Sequence, residues 1–249
     1  MATGAELGYT TNATALTMAN TIFGDGVVVV GASYTGPAAS SAVYTNGDFT
    51  GGVAPSDTGV ILSTGNVRDF TQSGGDPNRA AGTSTNTSGV NNNADFNEIA
   101  GTGTYDAVWL DVDFIPTGDT MTMQFVFSSE EYPEYANSQF NDVVGVWVNG
   151  TLVPISIGNG TAGVTNINGT TQPNLLVDNT GDAYNTEMDG FTVTLSLTMA
   201  VIPGTVNSIR IGIADTGDSS YDSNLLIAAD SVQTVVIAND DSVDLNPYG

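Results

Sequence analysis

Apolar residues recur along this chain in two rhythms. Between Asn12 and Phe23, Leu16, Ala19, Ile22 and Phe23 fall on one face at helical spacing. Asn12 or Thr14 is placed to cap the start and Gly24 to stop the helix, so one short helix is predicted over about 12–23. Val27 to Val30 follow as a β-branched run and predict a first strand. Beyond residue 105 the strand signals become dense. Ala107–Ile115 and Thr120–Phe127 read as paired strands joined by Pro116-Thr-Gly-Asp119, a sequence suited to a turn. Val143–Val148, Asn149-Gly150 and Thr151–Ile157 predict a hairpin, because Asn-Gly tolerates the positive φ that a type I′ turn needs at both central positions. Further strands are predicted at Leu175–Val177, Phe191–Val201, Ser208–Ala214 and Leu225–Ile237.

Between these runs the chain is polar. Residues 35–58 and 71–104 are rich in Gly, Ser, Thr, Asn and Pro and predict long loops, which in a compact domain are commonly functional or ion-bound. Many short strands without intervening helices predict an all-β fold, an antiparallel β-sandwich of jelly-roll type with one short N-terminal helix. No repeat of 20–50 residues and no clear linker interrupts the chain. Residues 1–249 are therefore read as a single domain, its last strand and tail running from about 225 to 249.

Charge narrows the chemistry. The 249 residues include 27 acidic and 3 basic side chains, no histidine and no cysteine, for a net charge of -24. The basic residues are Arg68, Arg79 and Arg210, so lysine is absent as well. A Ser-His-Asp or Cys-His nucleophile, a His or Cys metal site, a lysine Schiff base and a P-loop lysine are all excluded. Nucleic acid and anionic membranes repel such a surface, and no apolar run is long enough to span a bilayer. What remains for binding a cation is oxygen.

The carboxylates are concentrated in short stretches. Glu130, Glu131 and Glu134 follow a predicted strand, and Asn141 and Asp142 open the next. Asp215, Asp218 and Asp222 share one loop, while Asp178 and Asp189, with Asp182 and Glu187, crowd another. Calcium takes six to eight oxygens from such groups and would relieve their repulsion, so these residues are the candidate calcium ligands. None has EF-hand spacing, and the competing reading is that each stretch is a solvated face. Asp111 and Asp113 lie at i and i+2 and share one side of their strand, which a solvent-facing surface also explains. Trp109, Phe114, Phe125, Phe127 and Trp147 are read as core, and Tyr132 and Tyr135 as packing residues. A hydrolase would have to work with carboxylates such as Glu130, Glu131, Glu134 and Asp142, or with the tripeptides Asp57-Thr-Gly59 and Asp215-Thr-Gly217.

Several stretches carry a family resemblance. Gly59-Val-Ile-Leu-Ser-Thr-Gly-Asn66, Phe125-Val-Phe-Ser-Ser-Glu-Glu-Tyr-Pro-Glu-Tyr135, Phe140–Val148, Asp189–Thr192 and Ile211-Gly-Ile-Ala-Asp-Thr-Gly-Asp-Ser-Ser-Tyr-Asp-Ser223 resemble the choice-of-anchor L domain. The likeness runs from about Leu16 to Ile227. It implies a secreted β-rich module of bacterial surface proteins and brings no catalytic residues with it. Val236–Ser242 is similar to linkers of large calcium-dependent adhesins exported by type I secretion, which implies export without an N-terminal leader. No anchoring motif or nonapeptide repeat is visible.

The expected function is an extracellular, calcium-stabilised structural subunit that self-associates into a fibre or matrix. Ser231–Ile237, with Val232, Thr234 and Val236, is the strand expected to complete a neighbouring sheet by strand addition. The alternative is a calcium-dependent adhesin that holds a glycan or another surface, and the third reading is the carboxylate hydrolase.

Overall fold

The computed structural model describes residues 2–155 and 162–235. Its first elements are β1 (Gly8–Thr10), α1 (Ala15–Ile22), β2 (Val27–Thr35), β3 (Ser41–Thr45) and β4 (Gly59–Ser63). Then come α2 (Ala94–Ala100), β5 (Thr104–Pro116), β6 (Thr120–Ser129), β7 (Val143–Val148) and β8 (Thr151–Leu152). The last third holds β9 (Ala162–Gly163), β10 (Leu176–Asp178), β11 (Gly190–Thr192) and β12 (Leu195–Ala200). It closes with β13 (Asn207–Thr216), β14 (Ser223–Ala228) and β15 (Gln233–Thr234).

Among the described residues these strands form two antiparallel sheets, so the predicted all-β sandwich is the observed fold. A nine-stranded sheet runs β1-β3-β4-β14-β6-β11-β10, with β12 and β15 also on β6. A six-stranded sheet runs β2-β5-β13-β7-β8, with β9 also on β7. Alternation sends Phe125 and Phe127 of β6, Leu225 and Ile227 of β14, and Val60 and Leu62 of β4 inward from the first sheet. They meet Val108, Leu110, Val112 and Phe114 of β5 and Ile209, Ile211 and Ile213 of β13 from the second. The intervening residues are buried too. Ile61, Val126 and Leu226 pack with Phe70, Met188 and Phe191 on one outer face. Trp109 and Trp147 pack on Phe96 of α2 on the other, with ring centroids 6.1 and 5.2 Å away. Central strands covered on both faces explain apolar runs that hardly alternate, such as Val143–Val148.

Several expectations are corrected. β5 and β6 are not partners: β5 pairs with β2 and β13, whereas β6 pairs with β11, β12, β14 and β15. The 116–119 turn instead carries the chain from one sheet to the other, because both runs are needed to close opposite sides of one core. In α1, Thr14 caps the start through its side chain, and Met18, Ala19 and Ile22 are buried. Leu16 is 47% exposed, since so short a helix rests on the core through its second half. The 71–104 stretch contains α2, capped by Asn93 Oδ1 and ended by Gly101 at φ 71°. The Asn149-Gly150 turn has φ of 51° and 76°, and β7 pairs with β8 across it as the type I′ reading requires. Of the predicted strand 151–157, β8 covers Thr151–Leu152, and residues 156–157 lie outside the described residues.

The C-terminal strand is also corrected. Instead of one run it forms β14 and β15, which lie end to end along β6. Val232 donates its N–H to Ile22 O at 2.9 Å, and its carbonyl accepts from Gly24 N at 3.0 Å. Thr234 N donates to Asp25 O at 3.1 Å, and Thr234 pairs with Met121. Both sides of this segment are therefore bonded within the chain, and Val232 and Thr234 are buried. In this fold they offer no free edge to a neighbour. Val236 lies outside the described residues.

Candidate metal centre

The acidic stretches converge on one end of the sandwich, where β6, β7, β13 and β14 begin or finish. At the end of β6 the backbone is held firmly. Glu130 N donates to Asp222 O at 3.2 Å, Glu131 N to Ser129 Oγ at 2.9 Å, and Tyr135 N to Glu131 O at 3.0 Å. Tyr132 is buried and donates its hydroxyl to Ile167 O at 2.6 Å. Tyr135 packs edge-on against Phe140 and tilted against Tyr221. Glu130 and Glu131 are then fixed on opposite faces: Glu131 continues the inward row of Phe127 and Ser129, and Glu130 the outward row of Val126 and Ser128.

On the inner face, Glu131 meets carboxylates from the opposing sheet. Val143 pairs with Ala214, which sets Asp142 beside Asp215. Asp142 Oδ1 accepts from Thr216 N at 3.0 Å, and its Oδ2 accepts from Ser223 Oγ at 2.5 Å. A bulge between Ile213 and Asp215 brings Asp106 of β5, at φ 44°, into the same neighbourhood, where Gly89 N donates to its Oδ1 at 2.7 Å. Asp222 Oδ1 accepts from Thr85 N at 2.8 Å. Asp218, half-buried at the rim, accepts from Ser220 N and adds its charge to Glu131 and Asp142.

Four oxygens in this cluster are buried without a hydrogen-bond partner among the described residues: Glu131 Oε2, Asp215 Oδ1, Asp222 Oδ2 and Thr216 Oγ1. Among the described residues no cationic side chain pairs with them. Arg210 is bound to Asp111 at 2.8 Å and Asp95 at 2.5 Å and stacks on Trp109, and Arg68 pairs with Glu6. Burial first, and then the charge of Asp142, pushes Glu131 up to about 9. Burial, with neighbouring Asp69 and Asp106, pushes Asp222 up to about 7. Asp142 and Asp215 form a coupled buried pair, both raised chiefly by burial. A set of carboxylates like this stays ionised only if a cation enters it; otherwise protons must neutralise it.

The residues suit a hard cation, because every donor is oxygen and the charged ones are carboxylates. Among the described residues, no three Asp or Glu side chains are grouped closely enough to hold a metal by themselves. Neutral oxygens such as Thr216 Oγ1, and water, would therefore complete the shell, as calcium's six to eight ligands allow. Glu131, Asp142, Asp215 and Asp222 come together as candidates.

Other predicted ligands are placed differently. Glu130 and Asp189 lie on the outer face of the nine-stranded sheet, Glu130 with its two oxygens unpartnered. Asn141 Oδ1 is taken by Thr165 N at 2.7 Å. Glu134 is exposed. Asp178 is exposed and accepts from Thr180 N and Oγ1. Asp113 is exposed, while Asp111 serves Arg210 and Trp109 Nε1. Asp57 is exposed and Asp215 buried in the interior cluster, so the two Asp-Thr-Gly stretches form no catalytic pair. Sequence reasoning missed Asp106, which lies just before the predicted strand 107–115, and Thr216; the irregularity in the β5–β13 ladder is what turns Asp106 inward.

No curated protein matches the chain. A solved structure, a beta-glucosidase from Kluyveromyces marxianus in complex with glucose, matches 52% of this chain and 10% of its own length. The identity is 12% and the TM-score 0.24, too low to carry an argument about fold or activity. The model of the choice-of-anchor L domain matches residues 9–233, from β1 into β15 and across the whole acidic end. The chain therefore belongs to the choice-of-anchor L domain family, modules of surface-associated bacterial proteins.

Proposed function

We propose that this chain is an extracellular structural module whose acidic end is closed by calcium, and that calcium makes it rigid enough to build a surface assembly. The observation that carries this reading is the interior cluster of Glu131, Asp142, Asp215 and Asp222, which has unpartnered oxygens and no neutralising arginine. Calcium bound there would join strands of both sheets. The open edge for contact between copies is then β2, a nine-residue strand at the margin of the six-stranded sheet with Val28 62% and Val30 55% exposed. A long edge with outward valines favours pairing with another chain.

The adhesin reading draws on a shallow pocket of about 230 Å³ lined by Asp95, Asp111, Asp113, Trp147 and Arg210. Arg210 already engages Asp95 and Asp111, which leaves few free polar groups for a sugar. The test is a calcium titration of the chelator-treated full chain, following melting temperature and light scattering together. The structural reading expects both to rise. A melting rise without scattering, joined to calcium-dependent binding on a glycan array, favours the adhesin. No change in either removes calcium from the account.

A further inference from the structure

The outer face of the same strand end has chemistry of its own. Gly190 pairs with Ser129 and Phe191 with Ser128, so Asp189 stands opposite Glu130 just beyond the last ladder pair. Ser128 and Glu130 share a face by alternation, and Asn224, the partner of Ser128 on β14, shares it from the neighbouring strand. The loop after residue 76 crosses above. Asn78 Nδ2 donates to Asp189 Oδ1 at 2.7 Å, and the N–H groups of Arg79 and Ala80 donate to Glu187 Oε1 at 3.1 and 3.0 Å.

Beneath that loop several oxygens are left over. Glu130 is 1% exposed, and neither of its carboxylate oxygens has a hydrogen-bond partner among the described residues. Glu187 Oε2, Asn224 Oδ1 and Ser128 Oγ are also buried and unpartnered. Thr83 approaches Glu130 but does not meet hydrogen-bond geometry with either oxygen. Asp189 and Glu187 both press negative charge on Glu130. The Arg79 guanidinium, whose charge reaches Glu187, donates to the Ser73 carbonyl.

We infer that this face holds a second divalent-cation site, separate from the interior cluster. Glu130 and Glu187 supply its charge, Asn224 Oδ1, Ser128 Oγ and water complete an all-oxygen set with Asp189 adding its field from beside it, and calcium is the ion such a flexible set suits. The ion ties the end of β6 to β14 and to the 187–189 segment. Through the bonds that Glu187 and Asp189 already make, it clamps the 78–80 loop onto the sheet.

The chain offers an unusually clean readout. With no lysine and three arginines, trypsin has three sites, after Arg68, Arg79 and Arg210, and Arg79 lies in the clamped loop. In the full chain stripped by chelator, calcium at about ten times its dissociation constant should slow cleavage after Arg79 about tenfold. Glu130→Gln should lose that protection and one equivalent of bound calcium by titration calorimetry. Glu131→Gln, on the opposite face, should keep the protection and lose the other equivalent. Glu187→Gln keeps the acceptor for Arg79 and Ala80 and serves as the second variant should Glu130→Gln fail to fold; it too should lose protection. Cleavage after Arg79 that is indifferent to calcium in the unaltered chain overturns the inference, as does full protection in both variants. Loss of one equivalent in Glu131→Gln with no calcium effect at Arg79 sinks this site while the interior reading stands; the reverse pattern sinks the interior reading and supports this site.

Discussion

A methyl group on Gly65 would land on the carboxylate of Asp222, whose other oxygen is held by Thr85 N. The side chain cannot retreat without breaking that bond, so the cluster is built around the missing Cβ of one glycine. Gly65→Ala is expected to destabilise the fold by about 1–3 kcal/mol, the usual cost of forcing atoms into a packed site. Chemical denaturation reads this directly, and an unchanged midpoint would mean that Asp222 has freedom the structure does not give it. At this scale the sequence is informative in type and poor in direction. It shows that Glu130 and Glu131 are acidic and follow a strand. Which face each serves follows from extending the alternation of Phe127 and Ser129 by one step. Asp106 has no such signal, because its inward turn depends on a bulge between strands distant in sequence.

Among elements, α2 is the clearest case of structure hidden in a polar stretch. Its seven residues offer one buried aromatic, Phe96, so no apolar period announces it. The cap is the legible part: Asn93 Oδ1 accepts from Asp95 N and Phe96 N at 3.0 and 3.3 Å. Asn93→Ala should cost about 1 kcal/mol, seen as a small fall in thermal stability. Because Phe96 packs on both tryptophans, their fluorescence should change with it; unaltered stability and emission would show that α2 is not anchored by its cap. The Asn149-Gly150 turn is legible, since two residues with positive φ leave little choice of turn, whereas the length of the returning strand is not. Nor is the partition of β5 and β6 between sheets. Each is buried on both faces along only part of its length, 106–110 in β5 and 125–129 in β6, and the local pattern does not say which partner such a strand takes.

For the whole molecule, the sandwich packs like an ordinary core at its centre and concentrates unpaired acid at one end. The interior cluster draws Glu131 and Ser223 from one sheet and Asp142 and Asp215 from the other, so neutralising it holds the two sheets together. An ion that binds only the folded chain stabilises it by mass action, and the same cluster without an ion opposes folding through repulsion and desolvation. One substitution separates these effects. Asp215→Asn removes a charge at nearly constant shape, at a position where one oxygen has no partner. Its melting temperature, measured beside that of the unaltered chain in chelator and in millimolar calcium, tests the central claim most directly. The account predicts a reversal of sign: the variant melts higher than the unaltered chain in chelator and lower in calcium. Equal melting of the two chains in both conditions, or a shift of the same sign in both, would contradict it.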